Sequence, residues 1–168
     1  EPLTLRNLIP DSYQIALGMS FQRDGKWLAT TSSDVWLWPL TGKRAYGLRW
    51  LLEESGPPVF SPDSRFLVAS CKEDAVCSWP LTPEAGEAVK VIGRGGPFWF
   101  YEFDPTNRTL VTTSQNGVAV WSWPGGVPRF LKVDVSSCGD SAAVGSGRFA
   151  CEAENPDKAG FVVVRVWD

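Results

Sequence analysis

Side chains able to perform acid–base or nucleophilic chemistry are scarce in this sequence of 168 residues, because it contains no histidine. Histidine is the commonest general base and the side chain that titrates near neutral pH. Serine and cysteine nucleophiles therefore lack their usual base, and no motif marks a serine–lysine alternative. The sequence predicts no catalytic residues, no cofactor and no metal ligands.

Carboxylates stand close together at three places: Glu53 with Glu54, Glu73 with Asp74, and Glu152 with Glu154. Adjacent residues of a strand point to opposite faces, whereas Glu152 and Glu154 would share a face. Such a pair could serve glycoside hydrolysis only if folding set the separation of the two carboxyl groups. We expect these charges to be solvated turn and edge residues.

The four cysteines are irregularly spaced, at Cys71, Cys77, Cys138 and Cys151. No CxxC pair is present, so a zinc site made of cysteines alone is not indicated. We expect four small buried side chains, reduced as in a reducing compartment. One disulfide or a surface thiol is the alternative.

Charge and hydrophobicity exclude two classes of partner. The 16 basic and 19 acidic residues give a net charge of −3, whereas nucleic-acid binding requires a clustered positive field. No stretch reaches the ~20 apolar residues that span a bilayer, and no targeting segment is apparent. The sequence predicts no nucleic-acid partner, no membrane partner and a cytoplasmic location.

A tryptophan motif recurs four times along the chain. Each copy has a valine three residues before the tryptophan, and in three copies a proline follows it. The motif tryptophans are Trp38, Trp79, Trp123 and Trp167, which are 41, 44 and 44 residues apart. A regular period of this length indicates a repeat architecture.

A second motif lies upstream of each tryptophan and has a basic residue in the same place each time. In three units the motif contains Asp-Gly, Pro-Asp-Ser or Pro-Thr-Asn, which are typical of turns between strands. The basic residues are Lys26, Arg65, Arg108 and Arg148. A β-rich run, a polar turn, the tryptophan strand and a variable fourth run follow. The sequence therefore predicts four strands in each unit of about 42 residues.

This pattern resembles the WD40 repeat, in the form common in bacteria. The closest matches are Phe60-Ser61-Pro62-Asp63 and the terminal Val166-Trp167-Asp168. The resemblance covers essentially the whole chain and implies an all-β fold, a β-propeller of four-stranded antiparallel blades. Family members often carry a Gly-His pair whose histidine joins a hydrogen-bonded network. Without histidine, these blades must depend on the packing of their tryptophans.

The repeats divide the chain into four blades at approximately 10–52, 53–93, 94–134 and 135–168, with residues 1–9 as the closing outer strand of the last blade. Rings of the resembled family usually have more than four blades. Three arrangements are open: part of a longer propeller, one of two halves that build an eight-bladed ring, or a strained four-bladed ring. In the first two, the end strands need partners, since unpaired edges invite association.

The resemblance implies a non-catalytic scaffold or sensor for protein–protein interaction, such as a regulatory domain of a larger bacterial signalling protein. Recognition often lies in loops on a rigid scaffold. In the family, the loops between the fourth and first strands and between the second and third strands bind protein partners. Here those loops hold the candidate partner-binding residues Asp11, Ser33, Asp34, Glu53, Glu54, Lys72, Glu73, Arg94, Gln115, Asn116, Ser137 and Asn155. Their slightly acidic mix favours a basic partner segment, and a homodimer or another propeller half is a further candidate partner.

Two other functions are alternatives to a protein-interaction scaffold. A propeller-type hydrolase would need carboxylates that converge at the centre of the ring. A carbohydrate-binding propeller would need exposed aromatic side chains, for which Trp50 and Trp99 are the candidates. Trp36 and Trp121 lie two residues before a motif tryptophan and share its face, so we expect them between blades.

Overall fold

Every regular element in the described part of the computed structural model is a β-strand. The described residues are 18–31, 35–40, 46–48, 57–71, 75–81, 90–94, 98–104, 109–114, 117–124, 127–131, 138–155, 157–158 and 162–167. They form antiparallel sheets, which we call blades 1 to 4 in chain order.

The strands of each blade follow one another in the sheet in chain order. Blade 1 contains β1 (Gly18–Phe21), β2 (Trp27–Thr31), β3 (Val35–Pro39) and β4 (Tyr46–Leu48). Blade 2 contains β5 (Val59–Phe60), β6 (Phe66–Cys71), β7 (Ala75–Pro80) and β8 (Lys90–Arg94). Blade 3 contains β9 (Phe98–Phe103), β10 (Thr109–Ser114), β11 (Gly117–Ser122) and β12 (Arg129–Leu131). Blade 4 contains β13 (Cys138–Gly145), β14 (Arg148–Glu154) and β15 (Val162–Trp167).

Tight polar turns join the first two strands of blades 1 and 2, as the sequence predicts. In blade 1 the Gly25 N–H donates to the Gln22 carbonyl at 2.9 Å. Gly25 has a φ of 69°, a left-handed conformation that glycine adopts at little cost. In blade 2 the Ser64 N–H donates to the Ser61 carbonyl at 2.8 Å, and the Ser61 hydroxyl donates to the Asp63 carboxylate. Side-chain bonds of this kind favour a turn over a continuing strand.

The blades are arranged in chain order around a shared inner side. The first strands β1, β5, β9 and β13 are successive neighbours, so they form the inner side of the array. The fourth strands lie outermost in blades 1 to 3. This arrangement confirms the predicted all-β propeller fold. The predicted closing strand, residues 1–9, lies outside the described residues.

Each blade has two faces that its strand register defines. Directly paired residues share a face, so Leu28 lies beside Trp38, Leu67 beside Trp79, Leu110 beside Trp121 and Phe149 beside Trp167. We call this the tryptophan face. The opposite face carries Val35 in blade 1, Val68 and Val76 in blade 2, Val111 and Val118 in blade 3, and Val164 and Val166 in blade 4. We call it the valine face.

The core lies between the blades, where the valine face of one blade packs on the tryptophan face of the next. Val35 and Leu37 of blade 1 pack with Leu67 and Trp79 of blade 2. The other two junctions repeat this arrangement. Val68 and Val76 contact Leu110 and Trp121, and Val111 and Val118 contact Phe149 and Cys151. Burial of these apolar side chains is the main force that stacks the blades.

The register gives the repeat position in blade 3 to Trp121, whereas the sequence motif predicts Trp123. Trp121 pairs directly with Leu110 and is 2% exposed. Trp123 lies after the end of β11 and is half-buried, with a cis peptide bond to Pro124. Its ring makes edge contacts with Phe103 at 4.9 Å and with Phe66 of blade 2 at 5.4 Å. Trp123 therefore helps to join two blades.

The expectation of reduced thiols is wrong for Cys77 and Cys151, for which the disulfide alternative holds. Cys77 of β7 and Cys151 of β14 are both disulfide-bonded, and no described cysteine is a free thiol. Both side chains are also buried between blades, as expected of small apolar residues. Irregular spacing in a sequence does not reveal which sulfur atoms a sheet brings together.

Candidate functional site

Most of the predicted partner-binding surface lies outside the described residues. This is true of Asp11, Ser33, Asp34, Glu53, Glu54, Lys72, Glu73, Gln115, Asn116 and Ser137. Arg94 is the last residue of β8 and pairs with Ala75, and only its backbone is described. The predicted surface therefore stays a prediction for all of these residues.

Asn155 is the predicted surface residue that the structure describes with its side chain. Its Oδ1 atom accepts a hydrogen bond from the Asp157 N–H at 2.9 Å, and its carbonyl accepts one from the Lys158 N–H at 3.3 Å. The side chain is half-buried. Asn155 therefore braces the local turn after β14, a common use of asparagine in loops.

A cleft between blades 3 and 4 opens at the end of the sheets opposite Asn155. Its volume is about 200 Å³. Apolar side chains from both blades line it, with Val111, Val120 and Leu131 on one side and Val144, Phe149 and Trp167 on the other. The cleft is therefore the outer extension of the junction between these two blades.

Charged side chains stand at the mouth of this cleft. Arg129 at the start of β12 and Arg148 at the start of β14 are both exposed and line it. Asp104 also lines the cleft but is only 7% exposed, and its N–H donates to the Thr109 carbonyl at 2.9 Å. Two arginines against one aspartate leave the lining with an excess of positive charge. Guanidinium groups suit carboxylates because they donate several hydrogen bonds in a fixed plane.

Glu102 joins the same two blades on the inner side of the array. It lies on the first strand of blade 3, and its Oε2 atom accepts a hydrogen bond from the Val144 N–H of blade 4 at 2.9 Å. Burial raises the pKa of the Glu102 carboxyl, and the hydrogen bond from Val144 opposes that shift. Gln22 makes a comparable link, since its side-chain amide donates to the Ser64 carbonyl of the next blade at 2.9 Å.

Sequence reasoning did not single out this cleft or the inter-blade bonds. The repeat motif marks Arg148 only as a recurring basic residue, and it does not mark Arg129. The cleft forms because two neighbouring blades bring residues of β10 to β15 together. No local motif carries that information.

The part of the chain that the structure describes contains no cluster of three or more histidine, cysteine or acidic residues suited to a metal ion. Among the same residues, no helix has the length and hydrophobicity to cross a membrane. Glu152 lies on the second strand of blade 4, paired with Val164, and is half-buried.

Solved structures with the same architecture exist, although no family profile and no curated protein matches the chain. TolB from Acinetobacter baumannii aligns with a TM-score of 0.68 and 11% identity over 91% of this chain and 40% of that protein. A protein described as TolB from Agrobacterium tumefaciens aligns with a TM-score of 0.65 and 14% identity over 90% of this chain and 60% of that protein. A chain of the nidogen/laminin complex aligns with a TM-score of 0.63 and 16% identity over 90% of this chain and 64% of that one.

These similarities show the propeller fold. The chain spans 40 to 64% of the length of the three proteins. Identities of 11 to 16% carry no site residues from one protein to another.

Proposed function

We propose that this chain is a non-catalytic propeller module, of the WD40 type, that binds an acidic segment of a protein partner in the cleft between blades 3 and 4. The observation that carries the proposal is the pairing of exposed Arg129 and Arg148 with an apolar floor that includes Trp167. Arginine and tryptophan are the residue types enriched where protein partners bind most strongly.

The size of the cleft favours a side chain over a whole small molecule. At about 200 Å³ it is smaller than the ~300–1,000 Å³ of usual small-molecule sites. One or two partner side chains would fill it, with a carboxylate near the arginines. The nidogen/laminin complex is a protein–protein assembly among the structures with this architecture, which supports the same class of function.

The test measures binding of acidic peptides selected by display against the 168-residue chain. We expect Arg129→Ala to raise the Kd about tenfold or more, because a hydrogen bond between charged groups contributes roughly 1.5–3 kcal/mol. Arg23→Ala is the matched control, since Arg23 is also an exposed arginine but lies in the first turn of blade 1. Selected peptides that bind equally well to wild type and Arg129→Ala would contradict the proposal.

The cytoplasmic location stays a prediction. The disulfide-bonded Cys77 and Cys151 weigh against it, because disulfides persist mainly in oxidising compartments. The hydrolase and carbohydrate-binding alternatives also stay predictions. Trp50 and the side chain of Trp99 lie outside the described part of the chain.

A further inference from the structure

The array of blades ends on two apolar sheet faces that the inter-blade clusters of the described residues do not include. One is the tryptophan face of blade 1, where Met19 is 63% exposed and Phe21 is 66% exposed. The other is the valine face of blade 4, where Val164 is 70% exposed and Val166 is 60% exposed. Contiguous exposed apolar surface of this kind marks an interaction site in a soluble protein.

These two end faces are the two halves of the junction that repeats three times inside the chain. Every internal junction joins a valine face to the tryptophan face of the next blade. Blade 1 leaves a tryptophan face open, and blade 4 leaves a valine face open. The two surfaces therefore carry the residue types that pack together in the internal junctions, although they belong to the first and the last blade.

The strand registers support this equivalence in detail. On the tryptophan face of blade 1, Phe21 and Trp38 both pair with Leu28. In blade 3, Phe103 and Trp121 both pair with Leu110. Phe21 thus occupies the position of Phe103, which is 8% exposed inside a junction.

Among the residues whose side chains the structure describes, Glu152 is the charged residue on the open valine face of β14 and β15, where it pairs with Val164. Counting from Phe149, it occupies the position that Thr31 holds in blade 1 and Thr113 holds in blade 3. Those threonines are 0% and 7% exposed inside junctions. The open face thus keeps a polar residue at a position that is polar in the internal junctions.

We propose that two copies of this chain associate head to tail, with the valine face of blade 4 in one copy packed on the tryptophan face of blade 1 in the other. The occupant is a second copy because the chain itself presents both complementary surfaces. An interface between two different surfaces of identical chains is heterologous. A pair of copies therefore either keeps one open face at each end or closes into a ring through a second contact of the same kind.

The first experiment measures mass in solution by sedimentation velocity and light scattering over a range of concentrations. The wild-type chain is expected to form species of two or more chains of 18.5 kDa. Phe21→Arg and Val164→Arg should each raise the dissociation constant at least tenfold. Val127→Arg is the control, since Val127 is 92% exposed and precedes β12, away from both end faces. A wild-type chain that stays monomeric at its highest soluble concentration would overturn the proposal.

Mixing the two variants separates head-to-tail pairing from a symmetric contact. A Phe21→Arg copy retains a good valine face, and a Val164→Arg copy retains a good tryptophan face. Their mixture should therefore recover pairs that neither variant forms alone. In a symmetric contact only one face is used, so one variant would associate like wild type, and that result would also overturn the proposal.

A gain of affinity guards against variants that simply misfold. Glu152→Thr places the residue type of the internal junctions on the open face and removes a charge that association would bury. We expect its dissociation constant to fall below that of the wild type. An unchanged or higher value would count against packing of this face.

Discussion

At the scale of the residue, the repeat tryptophans are held in two different ways. The Trp121 indole N–H donates to the Thr112 hydroxyl at 2.9 Å, and the Trp38 indole N–H donates to the Thr30 hydroxyl at the same distance. In blade 2 the equivalent position is Ala69, beside Cys77. The buried Trp79 indole nitrogen accordingly has no hydrogen-bond partner among the described residues. The residue at this position therefore decides whether the indole N–H of the repeat tryptophan has a hydrogen-bond acceptor.

We predict that Thr112→Val destabilises the chain by about 1–3 kcal/mol, because it leaves the indole N–H of Trp121 buried without an acceptor. Valine has nearly the shape of threonine, so packing changes little. Thr30→Val is the matched control and should cost less, since its bond is only partly buried. The free energy of unfolding in urea measures both. In a Trp121→Phe background the cost of Thr112→Val should shrink, and an unchanged cost would point to packing instead.

At the scale of the element, β1 of blade 1 approaches the segment just before β5 of blade 2 so closely that a side chain does not fit between them. A Cβ atom on Gly18 of β1 would lie 2.4 Å from Cα and 2.6 Å from Cβ of Pro57. Contacts this short force backbone movement. Glycine at this position lets the two blades pack.

We predict that Gly18→Ala lowers the free energy of unfolding by about 1–3 kcal/mol through overpacking. Gly145→Ala in β13 is the matched control, because its Cβ would meet no atom of the described residues within 4 Å. It should stay within about 0.5 kcal/mol of wild type. Thermal or urea unfolding distinguishes the two. Equal costs for both would show that strand glycines matter for backbone entropy alone.

Glu102 makes the junction of blades 3 and 4 sensitive to pH. Because the pKa of Glu102 is raised in the folded state, the folded chain binds the proton of this carboxyl more tightly than the unfolded chain does. The contribution of this group to stability is complete below the ordinary carboxyl pKa of 4.5. It is lost as the pH rises through the folded value.

We predict that Glu102→Gln gains stability relative to wild type as the pH rises from 4.5 through the raised pKa, and that the difference is constant above it. The amide oxygen still accepts the Val144 N–H but does not titrate. Glu102→Leu removes the acceptor and should be less stable than Glu102→Gln at every pH. Urea unfolding at several pH values provides the measurement, and a difference independent of pH would contradict the assignment.

At the scale of the whole molecule, the blades surround a shared inner side, and two of their buried cysteines are disulfide-bonded. We predict that a reducing agent lowers the unfolding midpoint, because Cys77 and Cys151 are disulfide-bonded and a disulfide typically contributes about 2–4 kcal/mol. Thermal unfolding with and without a phosphine reductant measures this. A variant with all four cysteines replaced by alanine should show no response. Four reactive thiols in the unreduced, denatured chain would contradict the prediction.

The sequence by itself determined the strands, the turns and the four-fold repeat. These features depend on near neighbours: turn residues such as Asp24-Gly25 and Ser61-Pro62-Asp63 act over a few positions, and apolar alternation sets the strand period. The propeller fold is what the resemblance of this repeat to the WD40 family implies, and stacking of such repeats buries a core between neighbouring units.

Only the tertiary structure decided the frame of blade 3, the cleft and the bonding state of Cys77 and Cys151. A valine precedes a tryptophan by three residues twice in that blade, as Val118 before Trp121 and Val120 before Trp123. Both frames satisfy the motif, and the proline after Trp123 favours the wrong one. The pairing of Leu110 with Trp121 selects the other. The strand register and the contacts across blades depend on residues far apart in the chain. So does the placement of Arg129 and Arg148 on one cleft. No local pattern contains this information.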